Sequence, residues 1–294
     1  MSWTGRIATS DPLRRALAGA RSAEVVDRLP FRLPHRVRYA AAVRIAGLQL
    51  DIAWESPSTN HAKVDPWIRT AVRAGARLLV LPEMYACGFT MNATAVAEAE
   101  DGPSTTFLVE RAFEHGIWIG GSIPVLPAGA ERPYNTFVLA GPAGQLHRYR
   151  KIHPFTFAEE HLHYDAGDRF VTVDVEGVRC TLFVCYDLRF ADEMWATAKD
   201  TDCYLFVANW PEKRRQHWMT LLQARAIENQ AYVVGVNRVG EGGGLTYSGD
   251  SRIVDPWGEV VASAAGQETL LIAEVDPAVV ADARQRFPVL RDRR

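Results

Sequence analysis

From residue 43 onward one design recurs along the 294-residue chain: short, strongly apolar runs alternate with amphipathic or turn-rich stretches. Runs of this kind, bounded by glycine, proline or charge, read as strands. RIAGLQL, ARLLVLPE, IWIGGSIPV, YNTFVLAG, QLHRYRK, DCYLFVAN, AYVVGVN, SRIVDPWGEVVAS and TLLIAEVD all fit. The segment FVTVDVEGVRCTLFVC predicts a hairpin turning at Glu176–Gly177, and Pro142–Gly144 predicts another turn. Helices are expected after Pro66 to about Gly75, after Arg189, from Arg214 to Gln230 and from Pro277. A further helix is expected over GPSTTFLVERAFEHG, with Ser104 or Thr105 as N-cap and Gly116 beyond its end. Strands outnumber helices but both recur throughout, which favours a layered α/β architecture in one domain, residues 43–294.

Residues 1–42 stand apart as an N-terminal extension, with eight arginines against Asp11, Glu24 and Asp27. A short helix between Pro12 and Asp27, then an extended stretch, is the expectation, with subunit contacts as its use. The net charge of −2 offers no bulk attraction to nucleic acid or to an anionic membrane. No apolar run approaches the ~20 residues that span a bilayer. Cys87, Cys180, Cys185 and Cys203 lie singly, without a C-x-x-C pair, so neither a disulfide framework nor a zinc site is suggested. Free thiols point to a reducing, cytoplasmic setting.

Three strand-like runs end in one chemically potent residue: LLVLPE at Glu83, LHRYRK at Lys151 and CTLFVC at Cys185. Taken singly, each has an ordinary explanation, as a loop acid, a solvated lysine or a buried thiol. Their chemistry is complementary, however, and ligands in α/β sheets bind beyond the carboxyl ends of strands. A carboxylate can take the thiol proton, and an ammonium can stabilise first the thiolate and then the oxyanion formed when sulfur attacks a carbonyl or nitrile carbon. No G-x-S-x-G competes for the role. This chemistry calls for no cofactor and no metal.

LVLPEMYACGF, YRKIHPF and FVCYDLRF, in this order, resemble the three signature regions of the nitrilase, or carbon–nitrogen hydrolase, superfamily. GGSIP at 120–124, YNTFVLAGPAGQL at 134–146, ANWPEKRRQHW at 208–218 and QARAIENQAYVVGVNRVG at 223–240 match as well, so the likeness covers about residues 44 to 276. It implies a four-layer αββα sandwich that pairs into a homodimer. It implies Cys185 as nucleophile, Glu83 as general base and Lys151 as oxyanion stabiliser, joined by the backbone N–H of Tyr186. It also implies a second glutamate: Glu159 or Glu160, with Glu160 preferred by spacing back from Gly167–Asp168. AEEHLHY and ANWP are most similar to the omega-amidase branch, which cleaves the side-chain amide of small 2-oxo acids such as 2-oxoglutaramate. Pro154 and Ala191 depart from the leucine and proline common there, which bears on loop shape and substrate preference.

Tyr134, Asn135, Phe155, His161 and Trp210 are candidates for the substrate wall, and Tyr164 flanks the second glutamate. Arg189 is expected in a structural ion pair, which leaves the partner of a substrate carboxylate open. Two rival readings stand beside the amidase: a nitrile or N-carbamoyl substrate for the same triad, and a metallohydrolase built on His153, Glu159, Glu160, His161, His163 and Asp165. The latter cluster has no H-E-x-x-H spacing. A catalytically dead relative used for binding is a third.

Overall fold

The computed structural model describes residues 41–293. The extension up to residue 40, including the helix expected between Pro12 and Asp27, lies outside them. The first half runs β1 (Val43–Gln49), α1 (Pro57–Arg73), β2 (Leu78–Val80), α2 (Ala93–Val96), α3 (Pro103–His115), β3 (Trp118–Val125), β4 (Tyr134–Ala140), β5 (Leu146–Arg150) and α4 (Glu160–His163). The second half runs β6 (Thr172–Val175), β7 (Val178–Val184), α5 (Ala191–Thr197), β8 (Cys203–Ala208), α6 (Arg215–Asn229), β9 (Tyr232–Asn237), β10 (Val239–Gly242), β11 (Leu245–Ser248), β12 (Ser251–Val254), β13 (Val260–Ala264), β14 (Thr269–Val275) and α7 (Pro277–Arg286).

Two six-stranded sheets form, in the orders β14-β1-β2-β3-β4-β5 and β13-β12-β9-β8-β7-β6. Alternation of side chains across a strand explains why the runs are apolar throughout. Ile45, Leu78, Val80, Phe137 and Leu139 face the core shared with the second sheet. Their neighbours Ala46, Leu48, Leu79, Leu81, Val138 and Ala140 face a second core with Val64 and Ile68 of α1 and Leu108 and Ala112 of α3. On the far side, Trp218, Leu222 and Ala226 of α6 cover the second sheet. The layers are therefore helix, sheet, sheet, helix, the αββα sandwich expected.

Three local readings differ. Helix α1 begins at Pro57, nine residues before Pro66, which sits inside it. Asn60, Val64, Ile68 and Ala71 form its buried stripe, while Pro66 is exposed. The missing N–H therefore falls on the solvent side, and packing outweighs a cost of about 3 kcal/mol. At α3, Gly102 is the N-cap and Pro103 the first helical residue. The Glu98 carboxylate takes both the Ser104 N–H (2.7 Å) and its hydroxyl (2.6 Å), a capping role played by an acid from the preceding loop. The hairpin β10–β11, absent from the expectation, turns at Gly243–Gly244 with φ of 56° and 75°, the positive values that a two-residue hairpin loop requires.

Gly235 of β9 marks the close approach of α6: a Cβ there would lie 2.5 Å from Leu222 Cδ1 and 3.0 Å from Trp218 Cζ2. Gly235→Ala is expected to cost about 1–3 kcal/mol through overpacking. Denaturant unfolding reads this directly, and an unchanged midpoint would contradict the packing.

Candidate active site

Glu83 follows the carboxyl end of β2, Lys151 that of β5 and Cys185 that of β7. The chain turns sharply at Cys185, whose φ is +47°, to enter a 3₁₀ turn over Cys185–Arg189. For a residue with a side chain this left-handed backbone is strained, and it exposes the thiol at the sheet end. Tyr186 is the second residue of that turn, and the first N–H groups of a helical turn have no partner within it.

Lys151 is the centre of the cluster. Its Nζ donates to Glu83 Oε1 at 3.0 Å, and to Glu160 Oε1 and Oε2 at 3.1 and 2.8 Å. All three side chains are at most 1% exposed. Asn135 of β4 spans the carboxylates, donating from Nδ2 to Glu83 Oε1 at 2.8 Å and Glu160 Oε1 at 3.2 Å. The second oxygen of Glu83 accepts the backbone N–H of Asn209 at 2.8 Å, and the Asn209 amide also donates to the Glu83 carbonyl. Glu160 Oε2 further accepts the Phe155 N–H at 2.6 Å. Glu159, by contrast, is exposed, with a φ of 58° just ahead of α4.

The charges follow from this packing. Burial alone would lower the Lys151 ammonium, but the charges of Glu160, Glu83 and Cys185 outweigh it and hold it above the ordinary lysine range. Burial raises Glu160, with Glu83 adding to the rise and Lys151 opposing it. Burial, then the Glu83 charge, pushes the Cys185 thiol well above the usual range, against the pull of Lys151. The surroundings of Cys185 thus favour the neutral form of its thiol.

Cys185 is half-buried and opens onto a cavity of about 270 Å³. Ligand sites for drug-sized molecules usually span ~300–1,000 Å³, so this one suits a small substrate. Phe155, Tyr186 and Trp210 line it, as do Trp54, Phe89 and Tyr247. Arg189 and Arg214 enter the same space, stacked on Trp210 and Phe155 at 4.6 and 5.4 Å. Among the described residues neither guanidinium pairs with a carboxylate within 4.0 Å. Burial, and the nearby Arg214 charge, lower the Arg189 pKa.

Several expectations need correction. Among the described residues Arg189 makes no ion pair; its head turns into the cavity and meets His217 Nδ1 at 3.2 Å. Tyr134 lies outside the cavity because strand alternation sends it away from Asn135, under the Arg150 guanidinium at 4.2 Å. Asn135 sits behind the cavity, among the carboxylates. His161 is exposed and does not line the cavity, since one step along α4 rotates it about 100° from the inward Glu160. Tyr164 is buried, its hydroxyl donating to the Thr90 carbonyl at 2.9 Å. The same geometry disperses the proposed metal cluster: Glu160 points inward, Glu159 and His161 outward, and His153 toward Asp187. Among the described residues no group of three acidic, histidine or cysteine side chains is arranged to hold a metal ion.

Sequence reasoning missed Asn209, Arg214, Trp54 and Tyr247. Asn209 ends a strand run, as Glu83 and Cys185 do, and that position was its signal. Tyr247 reaches the cavity on β11, and Trp54, from the loop between β1 and α1, lies beside Gly242 and Gly243 of that hairpin.

Comparison with known proteins agrees with this architecture. The carbon–nitrogen hydrolase family matches residues 44–285. The chain is 41% identical to omega-amidase YafV of Escherichia coli over 253 residues, covering 85% of this chain and 96% of that one. It is 35% identical to 2-oxoglutaramate amidase of Bacillus subtilis over 254 residues, covering 84% and 96% respectively. Among solved structures, XC1258 from Xanthomonas campestris, a CN-hydrolase superfamily protein, superposes with a TM-score of 0.82 at 35% identity, covering 86% of this chain and 98% of that one. The match over most of the length places this chain in the carbon–nitrogen hydrolase family.

Proposed function

We propose that the protein is an amidohydrolase that cleaves the terminal amide of a small 2-oxo-dicarboxylate monoamide, such as 2-oxoglutaramate, through a cysteine thioester. The observation that carries this reading is the Lys151 ammonium held between Glu83 and Glu160 beside the Cys185 thiol, under a small cavity with two arginines that pair with no carboxylate among the described residues. The omega-amidase and 2-oxoglutaramate amidase relatives support the substrate class.

In this mechanism Glu83 takes the thiol proton as Cys185 Sγ bonds to the amide carbon. The carbonyl oxygen becomes an oxyanion, met by the Lys151 ammonium and the Tyr186 N–H. Glu83 then protonates the nitrogen, the C–N bond breaks and ammonia leaves a thioester. Water attacks that carbon, giving its proton to Glu83. The C–S bond breaks, the acid is released and the proton returns to sulfur. Glu160 holds the lysine in line throughout. Phe155 and Trp210 wall the flat 2-oxo acid, and Arg189 with Arg214 meets its carboxylate, for which paired guanidinium donors are well matched. The arginines also favour an anionic amide over a neutral nitrile.

A homodimer in a reducing, cytoplasmic setting belongs to the same proposal. Four unpaired cysteines support the setting. Trp195, Ile227 and Trp257, each more than 40% exposed on or beside the helices outside the second sheet, support a covered face. Light scattering on the purified chain should give twice the monomer mass; a monomer would remove that part.

Cys185→Ala is expected to fold normally and release no measurable ammonia from 2-oxoglutaramate, glutamine, a nitrile or a carbamoyl amino acid. Retained activity would rule out the cysteine mechanism. Arg189→Gln and Arg214→Gln are expected to lower kcat/KM for 2-oxoglutaramate by about 10–100-fold, the loss of a charged hydrogen bond. The loss on an uncharged amide should be much smaller, and equal losses on both substrates would dismiss the carboxylate role.

A further inference from the structure

The turn that carries Cys185 holds another ionisable side chain, one the mechanism leaves unused. Asp187 is wholly buried, and among the described residues no lysine or arginine pairs with it. Burying a carboxylate without such a partner is costly unless hydrogen bonds replace its water. Four do so. Oδ2 accepts the Val184 N–H at 3.0 Å and the Tyr149 hydroxyl at 2.8 Å. Oδ1 accepts the His153 N–H at 3.0 Å and meets His153 Nδ1 at 3.1 Å.

Two of these donors are backbone groups at the two chemically decisive strand ends. Val184 immediately precedes the nucleophile, and His153 lies two residues past the lysine. Tyr149 belongs to β5, the strand that delivers Lys151. One carboxylate therefore ties the end of β7 in the second sheet to the end of β5 in the first. Cys185 needs such a tie, because a left-handed φ on a non-glycine residue costs on the order of 1–3 kcal/mol and persists only where its surroundings over-determine it. Arg225 of α6 holds the other side of the turn, donating from Nε and Nη2 to the Leu188 carbonyl at 3.0 and 2.8 Å. For stability alone, an apolar filler would serve as well as a buried charge. What the carboxylate adds is geometry: four donors converge from two strand ends on its two oxygens.

We propose that Asp187 is a positioning residue for amide hydrolysis, fixing the separation and angle between the Cys185 sulfur and the Lys151 ammonium by bridging their two strand ends. The proposal rests on the Glu83–Lys151–Cys185 mechanism. It fails separately from it, since activity in Cys185→Ala would sink the mechanism whatever Asp187 does.

Asp187→Asn is the test. It keeps the shape but turns one oxygen into an NH₂ that must face a backbone N–H, either that of Val184 or that of His153. The expected result is folded protein whose kcat falls by about 100-fold, the size of loss that ~1 Å misplacement of reacting groups produces. KM should stay near its starting value. The rate of Cys185 alkylation by iodoacetamide should fall, and its pH profile should shift, as the lysine moves out of register with the thiol. Val175→Ala, a core truncation in β6 away from the cavity, serves as a destabilised control and should keep both kcat and the alkylation profile. Folded Asp187→Asn with an unchanged kcat and alkylation profile overturns the proposal, as does a change in KM alone. If Asp187→Asn does not fold, Tyr149→Phe decides. Removing that single donor should lower kcat and shift the alkylation profile in the same direction, and an enzyme unaltered in both overturns the proposal.

Discussion

The arrangement depends on one buried ammonium. Lys151 is taken out of water, at a cost of several kcal/mol, and is returned to a favourable state only by two carboxylates that reach it from different parts of the chain. Neither acid is free to move. Glu83 is held on one oxygen by Asn135 and on the other by the Asn209 N–H, and Glu160 is held by Asn135 and the Phe155 N–H. A rigid, water-poor cluster of this kind needs little reorganisation when charge develops on a bound carbonyl, which is where electrostatic stabilisation is most effective.

The sandwich supplies the convergence. β2 and β5 run in the first sheet, β7 and β8 in the second, and each delivers a residue just past its carboxyl end to the cluster. The sheets bring those ends together because their facing side chains interlock. Gly47 of β1 has no side chain where a Cβ would approach Val236 of β9 to 2.7 Å. A wall that neither sheet provides then comes from the β10–β11 hairpin. Its carrier Arg238 is fully buried, with hydrogen bonds to the carbonyls of Ile52, Val239 and Glu241 and a cation–π contact to Tyr247 at 4.6 Å. The same guanidinium thus anchors the hairpin and steadies an aromatic residue that lines the cavity.

Much of this was legible beforehand, for identifiable reasons. The strands and the turns at Glu176–Gly177 and Pro142–Gly144 follow from local patterns that tertiary contacts reinforce. The start of α1 was misplaced because Pro66 is a strong local signal, and its penalty is absorbed on an exposed face that no one-dimensional reading can see. The N-cap of α3 was misplaced because its acceptor, Glu98, belongs to the preceding loop. Tyr134 and His161 stand one position from residues that face the cluster, and a single step along a strand or helix is enough to turn a side chain away.

By itself the sequence determined the chemistry on hand: a thiol, an amine and a carboxylate, each closing a strand-like run, within a layered α/β chain. Those properties are local, because period and strand-end position are written in consecutive residues. The tertiary structure alone decided where Arg189 points, and how Asn209, Asp187 and Tyr247 join the site. Many of the contacts involved join residues 25 to more than 100 positions apart, as in the bonds from Asn135 to Glu160 and from Asn209 to Glu83. Their geometry exists only once two sheets have packed and excluded water.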